Sequence, residues 1–299
     1  MQERLNFMLQ QLFNSPILSV QALHPGYEDH ASDVFLVQTE DTEVIVRASK
    51  MNEEPNNDFW WGCKNLFGID PRNVHHLETV HTLLQEHTNL PIPTILEKHV
   101  LNGREFVVVE KLVGNTVQSF IEQPDSILFS LGKGLAEIHK FKADFIGNPS
   151  GTFQVPLDEF QPHILNVSKE LVNMFYSDDE SIKNAFPTFE SQLSSLSVPK
   201  ESTLVLIDMD PTQFLSDGTT ITGLVDSEAY AVAPRELDFI GLEYVLTEKE
   251  AHAFKSGYET IMSIPHLEEY RQPYRYLYRL LSVQGNVELK KWLSHPSYF

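Results

Sequence analysis

Three oxygen-bearing side chains, Asp208, Gln213 and Asp226, fall within residues 202–239 in a pattern that packing alone does not ask for. Leu204-Val205-Leu206-Ile207 reads as a short buried strand ending on Asp208, and Ile221-Thr222-Gly223-Leu224-Val225 as another ending on Asp226. A turn through Asp210-Pro211-Thr212, the run Phe214-Leu215 and a turn at Asp217-Gly218 complete a small hairpin-like unit. Strand ends hold side chains rigidly yet leave them accessible, so two carboxylates and a carboxamide can converge on one edge. Such a set suits a hard cation such as Mg²⁺, which takes one or two carboxylates and leaves its other positions to water and substrate phosphates. Phosphoryl transfer also needs a carboxylate to accept the proton of an attacking hydroxyl. Asp208 fits that task, with Gln213 and Asp226 on the metal. Asp and Gly are equally what turns between core strands demand, so spacing alone leaves both readings open.

Other stretches supply the elements that must position these groups. Residues 16–23 and 33–39 read as strands around a turn holding Gly26, and residues 43–49 as a β-branched third strand with Arg47 near its end. Residues 74–87 have a helical period, with Leu77, Val80, Leu83 and Leu84 on one face and Glu78 beside it. His75, His76 and His81 fall in the same stretch without a matching acid or cysteine at ligand spacing, so they read as surface and packing residues. An Asn102-Gly103 turn leads into a strand over 105–110, a hairpin signal. Residues 164–176, 186–196 and much of 243–299 read as helices.

The chain of 299 residues, 41% apolar, can bury a large core and suits one big domain or two lobes. Its net charge of −20, from 42 acids against 22 bases, repels phosphate backbones and anionic lipid, which argues against nucleic-acid and membrane partners. Cationic small molecules are attracted instead. The single cysteine, Cys63, cannot form an internal disulfide, and residues 1–13 mix charges with apolar residues, so the reading is a cytoplasmic protein without a membrane span.

Residues 202–239 resemble the catalytic core of the aminoglycoside phosphotransferase and choline kinase-like family, relatives of protein kinases. That family's pattern runs H-G-D-x-x-x-x-N, a hairpin, then I-D-W/F-E. Here it reads Leu206-Ile207-Asp208-Met209-Asp210-Pro211-Thr212-Gln213, then Leu224-Val225-Asp226-Ser227-Glu228. The P-x-x-x-D-L/F ending follows as Pro234-Arg235-Glu236-Leu237-Asp238-Phe239, and the family's L-A-x-L/I-H helix as residues 131–139, ending on a structural His139. The resemblance implies an α+β, bilobal protein-kinase-like fold. Residues 1–112 would be a nucleotide-binding lobe of antiparallel sheet and helix, and residues 113–299 a mainly helical catalytic and acceptor-binding lobe carrying the small hairpin.

It also implies ATP and Mg²⁺ as cofactors and a small-molecule acceptor: an aminoglycoside, an amino alcohol or a sugar. Asp208 is then the catalytic base, and Gln213 and Asp226 the metal ligands. Arg47 takes the place of a third-strand lysine that meets the nucleotide phosphates and pairs with a helix glutamate, for which Glu78 is the candidate and His76 the alternative register. Gly26 would cover the phosphates. Glu110 to Gly114 is similar to the family's M-E-x-x-x-G lobe connection, with Glu110 and Leu112 beside the adenine and Phe106 helping to line its pocket.

Several positions depart from the pattern: Leu206 replaces a histidine, Ile207 a glycine, Gln213 an asparagine, Ser227 an aromatic residue and Arg47 the lysine. Arginine holds phosphate with a bidentate fork where lysine is a point charge, and glutamine adds one methylene that shifts the metal or the backbone. These departures support a second reading, a pseudokinase-like protein that binds nucleotide or ligand with weak or no transfer. The aromatic patch Phe59-Trp60-Trp61 matches no family element and reads as a lid, a subunit contact or core.

Overall fold

The computed structural model describes residues 2–23 and 31–299, with the backbone alone for 2–5. Among the described residues, helix α1 (Gln2–Gln10) precedes an antiparallel sheet of β1 (Ile17–Leu23), β2 (Ser32–Thr39), β3 (Glu43–Ser49), β4 (Ile95–Leu101) and β5 (Arg104–Glu110), ordered β1-β2-β3-β5-β4. Helices α2 (Asp58–Phe67) and α3 (Leu77–His87) lie between β3 and β4 in the chain. Side chains alternate between faces along a strand, and on β3 and β5 that alternation separates two cores. Val44, Val46, Ala48, Phe106 and Val108 pack with Leu9 and Leu12, whereas Ile45, Val107 and Val109 pack with Val74 and Leu77 at α3. Arg47, two residues beyond Ile45, shares the α3 face. The β4–β5 hairpin closes through Asn102 and Gly103, both at positive φ (53° and 78°), as the Asn-Gly pair predicts.

After β5 the chain runs through β6 (Asn115–Thr116), α4 (Asp125–Ile138), β7 (Phe145–Gly147), β8 (Gln154–Pro156), α5 (Phe160–Phe175) and α6 (Glu180–Ser195). It continues through β9 (Thr203–Leu206), β10 (Phe214–Ser216), β11 (Ile221–Leu224), β12 (Tyr230–Ala233), α7 (Glu236–Val245), α8 (Glu248–Tyr258), α9 (Glu268–Leu280) and α10 (Leu289–Leu293). The architecture is α+β: an antiparallel sheet in the N-terminal part, then a mainly helical region. The crossing between them passes through Gly114, whose φ is 146° and where a Cβ would lie 2.3 Å from Thr222 Oγ1, so a side chain there would be strained.

One expectation needs correction. Residues 202–225 are not a single hairpin-like unit: β10 and β11 form the hairpin, with β6 on its edge, while β9 pairs with β12 in a second small sheet. The turn after β9 redirects the chain, because Asp210 caps a 3-10 turn over Pro211–Gln213 by accepting from Thr212 N at 2.8 Å. Every residue of β9 and β12 is buried, so this pair runs through the core and only its ends reach solvent.

The aromatic patch is core. Trp60, Cys63, Leu66 and Phe67 of α2 pack among Phe160, Ile164 and Leu171 of α5 and Leu280 of α9. Asp58 accepts from Tyr176 Oη at 2.5 Å and Ser282 Oγ at 2.6 Å, so α2 ties the chain between β3 and α3 to the helical region. No helix among the described residues is long and apolar enough to cross a membrane.

Candidate active site

Antiparallel pairing of Leu206 with Tyr230 means that the loop after β9 and the loop before β12 leave the same end of one strand pair. Ile207 N donates to Ala229 O at 3.2 Å just beyond it, and Val225 N donates to Gln213 O at 2.8 Å, hooking the third segment to the same place. Asp208, Gln213 and Asp226 thereby meet on one edge.

Their environments differ. Asp208 is half-buried, and burial, then the charges of Asp210 and Asp226, push its carboxyl up to about 7. Gln213 is buried and its Nε2 donates to Asp208 Oδ2 at 3.3 Å; its Oε1 is buried with no partner. Asp226 is the open member, its side chain 46% exposed. A buried carboxamide oxygen without a partner, on a side chain whose nitrogen bonds a carboxylate, is a place for a cation. Among the described residues no three His, Cys, Asp or Glu side chains stand together to hold a metal unaided. The set therefore fits Mg²⁺, which completes its shell with water and phosphate, better than a metal that needs an all-protein cage.

The loops are braced from behind. Asp238 Oδ1 accepts from Leu206 N and its Oδ2 from His139 Nε2, each at 2.9 Å, and Tyr258 Oη lies 2.8 Å from His139 Nδ1. Leu206 is itself fully buried, so the loop is held through its backbone and an apolar side chain takes the space of the histidine. From the sheet, Arg47 Nη1 donates to Val225 O at 2.7 Å, and Nη2 donates to Asp226 Oδ1 at 2.8 Å and Glu228 Oε1 at 2.9 Å. The Ser32 hydroxyl of β2 lies 2.5 and 2.6 Å from the two Glu228 oxygens. Burial pulls the Arg47 pKa down, but the two carboxylates overcome it and hold the guanidinium charged.

Neither a protein-family model nor a curated protein sequence matches the chain. Solved structures do. The GDP complex of a wild-type aminoglycoside 2'-phosphotransferase is similar at 17% identity, covering 94% of this chain and 89% of that one, with a TM-score of 0.61. A spectinomycin phosphotransferase in complex with ADP and spectinomycin is similar at 14% identity over 98% of this chain and 92% of that one, TM-score 0.59. A macrolide 2'-phosphotransferase from Brachybacterium faecium is similar at 13% identity over 97% of both chains, TM-score 0.57. The chain has the fold of the antibiotic phosphotransferases.

In this phosphotransferase fold the expected pair between Arg47 and Glu78 is not made. Glu78 lies on the outer face of α3 and pairs with Lys98 of β4. The buried stripe of α3 is Leu77, Val80, His81 and Leu84, the i, i+3, i+4, i+7 positions, so the residue it turns toward Arg47 and its loop is His81. His81 Nδ1 lies 2.7 Å from Pro93 O and Nε2 lies 2.8 Å from Ser227 Oγ. A carbonyl only accepts, so Nδ1 carries the proton and Nε2 accepts from Ser227. Burial holds the ring neutral, its pKa lowered to about 4. His76 does not meet Arg47 either; it belongs to the 3-10 turn that precedes α3.

Glu110 ends β5 with its N donating to Thr94 O at 2.9 Å and its side chain exposed. Leu112 is half-buried over the β10–β11 hairpin, where a Cβ on Gly223 would come 3.0 Å from its Cδ1. Phe106 does not line that slot: strand alternation turns it to the α1 face, fully buried. Gly26 lies outside the described residues. Sequence reasoning missed Ser32, His81 and Glu228 as site residues. Glu228 stands in the I-D-W/F-E motif and His81 completes the apolar stripe of α3, so both carried a signal; Ser32 carried none.

Proposed function

We propose that the chain is an ATP-dependent, Mg²⁺-requiring kinase that moves the γ-phosphoryl group to a hydroxyl of a small, cationic, hydroxylated acceptor in the cytoplasm. The observation that carries this reading is the meeting of Asp208, Gln213 and Asp226 on one edge, with an unpartnered carboxamide oxygen among them. Gln213 and Asp226 would hold Mg²⁺, which when bound offsets the charge of the phosphates. Asp208 takes the acceptor's hydroxyl proton as the acceptor oxygen bonds the γ-phosphorus and the bridge to the β-phosphate breaks, leaving ADP. A carboxyl held near neutrality is well matched to that transfer. Leu112, over the hairpin floor, and the backbone from Glu110 onward would receive the base.

The acceptor class follows from charge and from kinship of fold. A net charge of −20 draws in cations, and the similar structures include proteins described with kanamycin, spectinomycin and hygromycin B. The test is ADP formation across a panel of aminoglycosides, amino alcohols and sugars, with Asp208→Asn as the blank. A substrate whose turnover survives that substitution removes Asp208 as base.

A second reading, nucleotide binding without transfer, is favoured by the commitment of Arg47 to Asp226 and Glu228. It predicts a Mg²⁺-dependent thermal shift with ATP and no ADP formation beyond the blank.

A further inference from the structure

The loop over 225–228 is bonded at each residue from the N-terminal part of the chain. Arg47 of β3 reaches Val225 O, Asp226 Oδ1 and Glu228 Oε1; His81 of α3 meets Ser227; Ser32 of β2 meets Glu228. The Arg47 side chain is 6% exposed and that of Glu228 is 10% exposed, while Asp226, between them, stays open at 46%. Its three bonds turn the Arg47 guanidinium to the loop, and at 6% exposure it has little surface left to offer a phosphate.

Charge points the same way. One cation faces two carboxylates. Glu228, enclosed and bonded by Ser32, shares the Arg47 guanidinium with Asp226, whose Oδ1 is fixed and whose Oδ2 is left for a cation. Without Glu228, Arg47 would be the sole counterion of Asp226 and would compete with any metal for it.

We propose that Glu228, fixed by Ser32, and Arg47 form a positioning pair that holds Asp226 for the divalent cation, and that Arg47 acts through Asp226 and not as a phosphate ligand. This rests on the nucleotide-binding reading above. The pair sits on β3 and on the loop itself, so the aim of Asp226 does not depend on a glutamate from α3. Arginine makes the three bonds from two nitrogens of one planar fork, which a lysine would have to make from a single ammonium nitrogen.

The experiment measures ADP affinity by titration calorimetry, in EDTA and across a Mg²⁺ series, for the wild type and for Glu228→Gln, Arg47→Lys and Ser32→Ala. The pair predicts Mg²⁺-free ADP affinity within about twofold of wild type in all three variants. Half-saturating Mg²⁺ rises about tenfold in Glu228→Gln and Arg47→Lys, and less in Ser32→Ala, as for residues that orient a metal ligand. Ser32→Ala removes a single bond and keeps the test open if the charge variants do not fold. Loss of Mg²⁺-free affinity in Arg47→Lys, or wild-type Mg²⁺ dependence in Glu228→Gln and Ser32→Ala, overturns the proposal. Nucleotide binding by the wild type with unshifted variants sinks this inference alone; no nucleotide binding by the wild type sinks the kinase reading with it.

Discussion

A carboxyl held at about 7 by burial and two neighbouring acids, against about 3.9 in an unfolded chain, makes Asp208 a liability to the fold at neutral pH. The folded state keeps a proton that the unfolded chain releases, so this group's contribution to stability falls as pH rises from about 4 to about 7. Asp208→Asn removes the dependence. Urea unfolding should find the variant more stable than wild type at pH 8, by on the order of 1–3 kcal/mol, and close to it at pH 4; equal midpoints at pH 8 would show that the carboxylate is not destabilised. Asp208, Gln213 and Asp226 were legible because each lies beside a short apolar run or turn whose end the local sequence sets. Ser32 was not, since its bond to Glu228 spans 196 residues and no local pattern reports it.

Helix α3 shows how a small error of register misplaces a role. The span 74–87 was legible as helical, and the structure divides it into a 3-10 turn over Val74–His76 and α3. Glu78 is the acid that a kinase-like pattern asks for, but Leu77, Val80 and Leu84 set which face is buried and turn Glu78 outward. His81, the polar member of the buried stripe, sits behind the loop instead. Its lowered pKa means that the unfolded chain takes up a proton the folded ring refuses, so stability is lost as pH falls from about 6.5 toward 4. His81→Asn should cost about 1–3 kcal/mol at pH 7.5 by leaving Pro93 O and Ser227 short of partners. The gap between variant and wild type should then narrow by pH 4.5, as followed by thermal melts at each pH; a gap that widens with acid would refute the neutral, buried ring.

At the scale of the molecule, the helical region closes over a buried charge network. Glu243 is fully buried between Arg275 Nη2 at 2.7 Å and Arg271 Nε at 3.2 Å, while Arg275 also donates to the carbonyls of Leu293, His295 and Pro296. Glu243→Gln leaves buried guanidinium charge without its counterion and should cost about 3–5 kcal/mol in chemical denaturation; a cost under about 1 kcal/mol would show the network to be dispensable. None of this was legible beforehand beyond the helical reading of 243–299, because which charges are buried depends on how α7 and α9 pack. The surface charge of −20 leads to a different expectation: kcat/KM for a cationic acceptor should fall as salt rises from about 0.02 to about 0.3 M. A salt-independent kcat/KM would show that the surface charge does not steer the acceptor.

The most direct measurement is the Mg²⁺ dependence of ATP-analogue binding to the wild type and to Asp226→Asn, which keeps an oxygen for Arg47 but loses the carboxylate charge. Magnesium should tighten binding to the wild type by about tenfold or more and have little effect on the variant. Equal tightening in both proteins, or none in either, would contradict a metal-nucleotide site built on Asp208, Gln213 and Asp226.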